Sequence, residues 1–193
     1  MDVPSHGAGP PSEWVRRFAH LIPKGGRVID VACGLGRHTR FLRDCGLEVV
    51  AIDRDAAAIE TLRGLDRVET VVADIESGPW PYAEASFDAV VVTNYLWRPL
   101  MPQLITALRG DGVLIYETFA LGNERFGKPS NPDFLLRRNE LLEWTAPQLQ
   151  LVAFEQGFVS QPKPASVQRI CAVCRRSGPA PLDPAVAAAV AGT

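Results

Sequence analysis

Three carboxylates and a pair of glycines form the pattern in this 193-residue chain most suited to chemistry. The stretch VIDVACGLGRHTRFL, residues 28–42, reads as a strand that breaks at Gly34 and Gly36 and restarts as a helix. Glycine adopts positive φ and lets a ligand approach the backbone, and a new helix presents free N–H groups at the same place. Asp30 lies just before the glycines, near the carboxyl end of the first strand. Asp53 closes the next apolar run, VVAID, with Arg54 behind it. Asp74 closes the third, VVAD, with Ile75 behind it. Taken singly, each acid also suits a helix cap. At three successive strand ends on one sheet edge, they describe a binding crevice.

The residue types narrow the ligand. A phosphate loop needs GxxxxGK[ST], and no such lysine follows. A dinucleotide fingerprint needs GxGxxG, and its third glycine is replaced by Thr39. Asp30 would also repel a pyrophosphate. It suits a ligand with a positive amine, such as the methionine part of S-adenosylmethionine. Asp53 suits ribose hydroxyls, and Asp74 with Ile75 suits an adenine.

These residues need a scaffold of alternating strands and helices. Strands are predicted over 27–32, 48–53, 68–74, 87–94 and 112–119, and helices over 12–21, 37–45, 54–65 and 99–108. Ser12 is the expected cap of the first helix, with Trp14, Phe18 and Leu21 on one face. GDG at 110–112 reads as a turn. Apolar strands alternating with helices predict an α/β fold, a mostly parallel sheet covered on both faces. The remainder differs. Residues 120–139 form a long connection of the kind that faces a ligand or closes as a lid. A short helix opens at 139–144, and two strands, 149–157 and 166–176, suit an antiparallel edge. The expected organisation is a loose arm over 1–11, one domain over 12–176 and a fraying tail over 177–193.

Composition sets the outer bounds. Hydrophobic residues make up 47% and charged residues 22%, with a net charge of −2. This is ordinary for a soluble domain and gives no reason to expect nucleic acid. No run of 18 apolar residues suggests a membrane span, and the N-terminus lacks the order of a secretory signal. The four cysteines are too few for a disulfide scaffold, so a reducing, cytoplasmic setting is expected. Cys171 and Cys174 sit three apart in a predicted strand, on opposite faces, which does not suit one metal ion. His6, His20 and His38 have no metal-site spacing and are not assigned as bases.

DVACGLGR, AID, VVADI, FDAVVVTN and GDGVLIYETF resemble the class I S-adenosylmethionine-dependent methyltransferases over residues 27–119. CGLGRH, NYLWRPLMPQL, YETF and FGKPSNPDFLLRRNELL further resemble small bacterial methyltransferases of tellurite-resistance type. The resemblance implies a Rossmann-like seven-stranded sheet of order 3-2-1-4-5-7-6 with strand 7 antiparallel. It implies S-adenosylmethionine as cofactor. Asp30, Gly34 and Gly36 would bind its methionine part, Asp53 would bind the ribose, Asp74 and Ile75 would flank adenine, and Arg54 and Asn94 are further cofactor-binding candidates. Asn94 and Tyr95 would lie between cofactor and acceptor. Nucleic-acid amino methyltransferases of this superfamily often carry Asn/Asp-Pro-Pro-aromatic there. NYLW lacks the prolines, so a small-molecule substrate is expected.

Methyl transfer depends mainly on placement of the two reactants, with a base needed only for a protonated acceptor. Tyr95, Arg98 and Glu117 are the catalytic candidates, with Trp97, Phe119, Arg125 and Lys128 nearby. Arg98 suits an anionic acceptor, or is a surface arginine at a helix start. Glu117 suits a base or an orienting acid, or pairs with Arg98 or Arg125. Arg169, Arg175 and Arg176 read as solvated. The rival readings are a nicotinamide-dependent oxidoreductase and a non-catalytic S-adenosylmethionine-binding protein. The acceptor and the oligomeric state are left open.

Overall fold

The structure is a computed structural model that describes residues 9–174 and 180–184. Seven strands form one sheet: β1 (Arg27–Val31), β2 (Glu48–Asp53), β3 (Val68–Val72), β4 (Phe87–Thr93), β5 (Leu108–Phe119), β6 (Leu149–Val159) and β7 (Ala165–Cys174). Their order is β3-β2-β1-β4-β5-β7-β6. β1 to β5 pair in parallel, whereas β7 runs antiparallel to both β5 and β6. The expected fold is therefore the observed one, with strand 7 as the reversed member.

Helices cover both faces because the central strands are apolar on both. On one face, α1 (Glu13–Phe18) and α2 (Arg37–Asp44) contribute Trp14, Phe18 and Leu42 to a cluster with Val28, Val91 and Ile115. On the other, α4 (Met101–Thr106) and α5 (Glu140–Thr145) contribute Leu104 and Leu141 against Ile29, Val90, Leu114 and Tyr116. The short α3 (Ala56–Glu60) places Ile59 in a third cluster with Ala51 and Leu62. Ser12 caps α1 as expected, its hydroxyl accepting from the Trp14 N–H at 3.0 Å.

Several boundaries differ from the sequence reading. The helix expected over 54–65 is α-helical only over Ala56–Glu60 and continues as turns. The segment expected as a helix over 99–108 starts as a 3₁₀ turn, Arg98–Leu100, and α4 ends at Thr106. Leu108 already pairs with Phe87, so β5 begins there and GDG lies inside the strand. An irregular register between Phe87 and Ala89 accommodates it, with Asp111 at φ 71°. The third strand stops at Val72, leaving Asp74 in a turn beyond it.

The long connection after β5 is pinned at both ends. Leu136 N–H donates to the Phe119 carbonyl and Leu121 N–H to the Leu136 carbonyl, both at 2.9 Å. Most of the arm expected over 1–11 and of the tail expected over 177–193 lies outside the described residues.

Candidate functional site

The glycine turn lies at the carboxyl edge of β1 and is held from three sides. Ala32 and Asn94, just beyond the adjacent strands β1 and β4, have φ 53° and 54°. Left-handed backbone at non-glycine residues is uncommon and costly, and it clusters at working sites. Gly34 has φ 53°, and Gly36, at φ 75°, is the N-cap of α2. Gly36 has a packing reason as well: a Cβ there would collide with the Leu62 side chain. The glycine that looked ligand-driven in sequence is thus also demanded by the chain that follows α3.

Each donor-side acid has a definite partner. Asp53 accepts from the Gly34 N–H at 2.8 Å through one carboxylate oxygen and from the Asp55 N–H at 2.9 Å through the other. It therefore ties the end of β2 to the turn. The cap of α3 is Asp55, which accepts from Ala57 and Ala58 N–H. Asp30 is 1% exposed and accepts from Thr39 Oγ1 at 2.6 Å. This gives the residue in the third-glycine position a job: the Thr39 hydroxyl solvates a buried carboxyl. Burial pushes Asp30 up to about 6, with the Thr39 hydrogen bond working against the rise. Asp74 accepts from Ser77 Oγ at 2.7 Å and Glu76 N–H at 3.0 Å, and these hydrogen bonds, Ser77 first, hold its carboxyl below the ordinary value. Asp74 is exposed and Ile75 beside it is buried, while Arg54 is exposed, 4.0 Å from Glu76.

The acceptor-side candidates are arranged less as the sequence suggested. Asn94 donates its backbone N–H to the Glu117 carbonyl at 2.9 Å and leaves its side chain exposed. Tyr95 is half-buried, and burial pushes its phenol well above the usual range. Its carbonyl accepts from Tyr116 Oη at 2.9 Å. Arg98 is engaged by the protein itself: Nε donates to Glu140 at 2.7 Å, Nη2 to Glu140 at 3.0 Å and to the Leu135 carbonyl at 2.9 Å, and Nη1 to the Asp133 carbonyl at 2.6 Å. It is a clasp on the chain after β5, in place of the surface arginine or free anion hook considered from sequence.

Glu117 pairs with neither Arg98 nor Arg125. Its Oε2 lies 2.6 Å from Arg169 Nε, and Arg169, expected to be solvated, has a side chain only 19% exposed. Arg125 instead stacks over the Phe158 ring, 5.9 Å from its centroid, and Lys128 is exposed. Trp97 packs partly buried against the core beside α4, and Phe119 ends β5.

Glu140, Gln168 and Thr93 were not singled out in the sequence. The Glu140 side chain is fully buried, and hydrogen bonds from Arg98 and Arg137 outweigh burial to hold its carboxyl below the ordinary value. Gln168 accepts from the Leu141 N–H at 3.1 Å and donates to the Arg137 carbonyl, fixing the start of α5. His38 is buried between Ser12 N–H, 3.1 Å from Nε2, and Thr93 Oγ1, 3.2 Å from Nδ1. Because Nε2 accepts a backbone N–H, the proton sits on Nδ1. Burial drives its pKa down to about 3, so the ring is a neutral strut. His20 bonds the Arg17 carbonyl, and His6 lies outside the described residues. Among the described residues no cluster of three or more His, Cys, Asp or Glu could hold a metal, and no helix is long and apolar enough to cross a membrane.

Residues 28–110 match the family model described as a methyltransferase domain. That span holds Asp30, both glycines, Asp53, Asp74, Asn94 and Arg98, and it ends before Glu117. A malonyl-[acyl-carrier protein] O-methyltransferase of Enterobacter lignolyticus is 36% identical over 111 residues, 54% of this chain and 41% of that protein. A demethylmenaquinone methyltransferase of Clavibacter sepedonicus is 32% identical over 105 residues, 50% of this chain and 42% of that protein. The chain thus matches about two fifths of the length of these curated relatives. Among solved structures, TehB from Haemophilus influenzae superposes with a TM-score of 0.71 at 18% identity, covering 86% of this chain and 63% of that one. A TehB-like S-adenosylmethionine-dependent methyltransferase from Corynebacterium glutamicum gives 0.63 at 19%, covering 87% and 90%. With the strand order and the glycine turn, these likenesses establish that the chain has the class I fold of S-adenosylmethionine-dependent methyltransferases.

Proposed function

We propose that this protein transfers a methyl group from S-adenosylmethionine to a small-molecule acceptor. The observation that carries the reading is the set of three acids around the glycine turn, Asp30 within β1, Asp53 at the end of β2 and Asp74 just past β3. Asp30 and the turn suit the amine and carboxylate of the methionine part, Asp53 the ribose hydroxyls, and Asp74 with Ile75 the adenine. The buried Asp30 carboxyl fits this group better than a pyrophosphate, because an approaching cation would restore the ionised form that burial disfavours. The Thr39–Asp30 hydrogen bond occupies the place where a dinucleotide fold has its third glycine, which speaks against a nicotinamide cofactor.

When bound, S-adenosylmethionine supplies a methyl activated on a sulfonium. The remaining work falls to this chain's own residues: Asp30, Asp53 and Asp74 orient the donor, while Asn94 and Tyr95 border the meeting point of donor and acceptor. Arg98 serves as a positioning residue that fixes the chain after β5. Glu117 faces the acceptor. A cytoplasmic setting without membrane or nucleic-acid partners belongs to the same proposal.

Incubation with methyl-labelled S-adenosylmethionine and a metabolite extract tests it. Label should move to a small molecule, and Asp53→Ala should slow the transfer at limiting donor in proportion to its loss of donor affinity. Transfer to nothing, with the donor tightly bound, would favour a non-catalytic binding protein.

A further inference from the structure

One register of the sheet is polar where its neighbours are apolar. Thr93 of β4 pairs with Glu117 of β5, Glu117 with Arg169 of β7, and Arg169 with Glu155 of β6. Directly paired residues share a face, so these four side chains form one row across four strands. Two steps earlier on the same face stand Val91, Ile115 and Cys171, all in the core. The row starts beside the donor turn, where Thr93 meets His38 of α2, and Arg17 of α1 closes its far end on Glu155 at 3.2 Å. At that end lies an open cleft of about 430 Å³ lined by Glu155, Gly157, Phe158, Val159 and Val167, among others. Gly157 leaves space open there, since a Cβ on it would have no neighbour within 4 Å. The cleft stands over β6, well away from the glycine turn, and the polar row is what connects the two.

The middle of the row is incompletely bonded. Glu117 Oε2 and Arg169 Nε are 2.6 Å apart, close enough for attraction, yet neither atom makes an aligned hydrogen bond and both are buried. Buried polar atoms in folded proteins are nearly always satisfied, and exceptions mark strain, a catalytic role, or a bridging water or ion. Arg169 reaches Glu155 only at 3.5 Å. A guanidinium has five donors in a fixed fork, more than these two contacts use.

The structure assigns Glu117 and Arg169 as the acceptor-binding floor for a hydroxy or amino carboxylic acid with an apolar remainder. This rests on the methyltransferase reading above. Glu117 stands nearer β4 and the donor, so it accepts a hydrogen bond from the nucleophile's O–H or N–H. As the nucleophile's lone pair forms the bond to the methyl carbon, the carbon–sulfur bond breaks with its electron pair left on sulfur, and the nucleophile's proton passes to Glu117. Arg169, one strand farther out or about 5 Å away, takes the acceptor's carboxylate. The apolar remainder lies over Val167 and Val159, which share the face of Arg169.

The test uses the full chain, methyl-labelled S-adenosylmethionine, and a panel of 3- and 4-hydroxy and amino carboxylic acids bearing phenyl or alkyl groups. Their primary amides and selenite are included, and donor binding is followed separately by calorimetry. The acids should be methylated with kcat/KM at least tenfold above their amides. Arg169→Gln should bring that ratio close to one through KM, with donor affinity unchanged, and Arg169→Lys should restore part of it. Equal use of acids and amides by the unmodified protein, a preference for selenite, an unchanged ratio in Arg169→Gln, or donor binding without transfer to any panel member would each overturn the assignment. Absence of donor binding would instead overturn the methyltransferase reading on which it rests.

Discussion

The donor half and the acceptor half of the sheet edge hold their polar groups in opposite ways. In the donor half, carboxylates are fixed by partners within 19 residues along the chain. Asp74 uses a hydroxyl three residues on, Asp53 an N–H two residues on together with Gly34, and Asp30 a hydroxyl nine residues on. In the acceptor half, the partners are remote. Arg98 and Glu140 are 42 residues apart, and Leu141 and Gln168 are 27 apart. The family model, matching residues 28–110, covers the three acids and reaches Arg98 but ends before Glu117, Glu140 and Gln168.

The sharpest way to break this contrast is Glu140→Ala. The carboxylate is fully buried between Arg98 and Arg137, and its removal leaves the Arg98 guanidinium without its charge partner. Because both arginines stay partly solvated and Arg98 keeps two carbonyl acceptors, the loss should be about 1–3 kcal/mol, the range for hydrogen bonds to a charged group. Urea unfolding should show that loss. Donor affinity of the folded fraction should stay within about twofold, since a shift of only 0.4 kcal/mol or so is expected for a site built from other elements. A large fall in donor affinity would mean the halves are not independent.

A second test concerns acid. Asp30 is raised from 3.8 to about 6, so between those values the folded state holds a proton the unfolded state has lost, and stability falls as pH rises. His38 is lowered from 6.5 to about 3, so between those values the unfolded state holds the extra proton, and stability rises with pH. From pH 4 to 6 the two slopes oppose each other. Asp30→Asn keeps a hydrogen-bond acceptor for Thr39 and removes one slope. Relative to the unmodified protein, it should lose about 1.4 kcal/mol per pH unit on acidification from 6 to 4, roughly 3 kcal/mol in all. Parallel stability curves would show that the Asp30 carboxyl is not raised.

Legibility in the sequence follows the same divide. The alternating strands, the glycine turn and the positions of the three acids near strand ends were readable because apolar runs, glycines and strand-end acids are local signals, whereas the strand order came from the family resemblance. Gly36 was only half read, since Leu62 closes on it from beyond α3. The start of β5 was misplaced because pairing of Leu108 with Phe87 overrides the turn propensity of GDG. Arg98, Arg169 and Glu140 were opaque. Whether an arginine is solvated or clasped depends on which distant carboxylate the topology brings to it, and nothing in its neighbours states that.

Two smaller effects sharpen the comparison. Asp53→Ala removes the acceptor for Gly34 N–H and the group facing the ribose. Donor affinity should fall by about 1–3 kcal/mol, on the order of 5- to 150-fold, and the lost bonds to Gly34 and Asp55 N–H should lower stability by about 1–2 kcal/mol. Ser12→Ala removes only the cap of α1 and should cost about 1 kcal/mol in stability, with donor affinity intact.

The central claim is that the glycine turn and its three acids hold S-adenosylmethionine, and titration calorimetry of the full chain tests it most directly. S-adenosylmethionine and S-adenosylhomocysteine should each bind once per chain, compete with one another, and lose affinity together in Asp53→Ala. NAD should give no saturable heat. Saturable binding of NAD with none for S-adenosylmethionine would contradict the account.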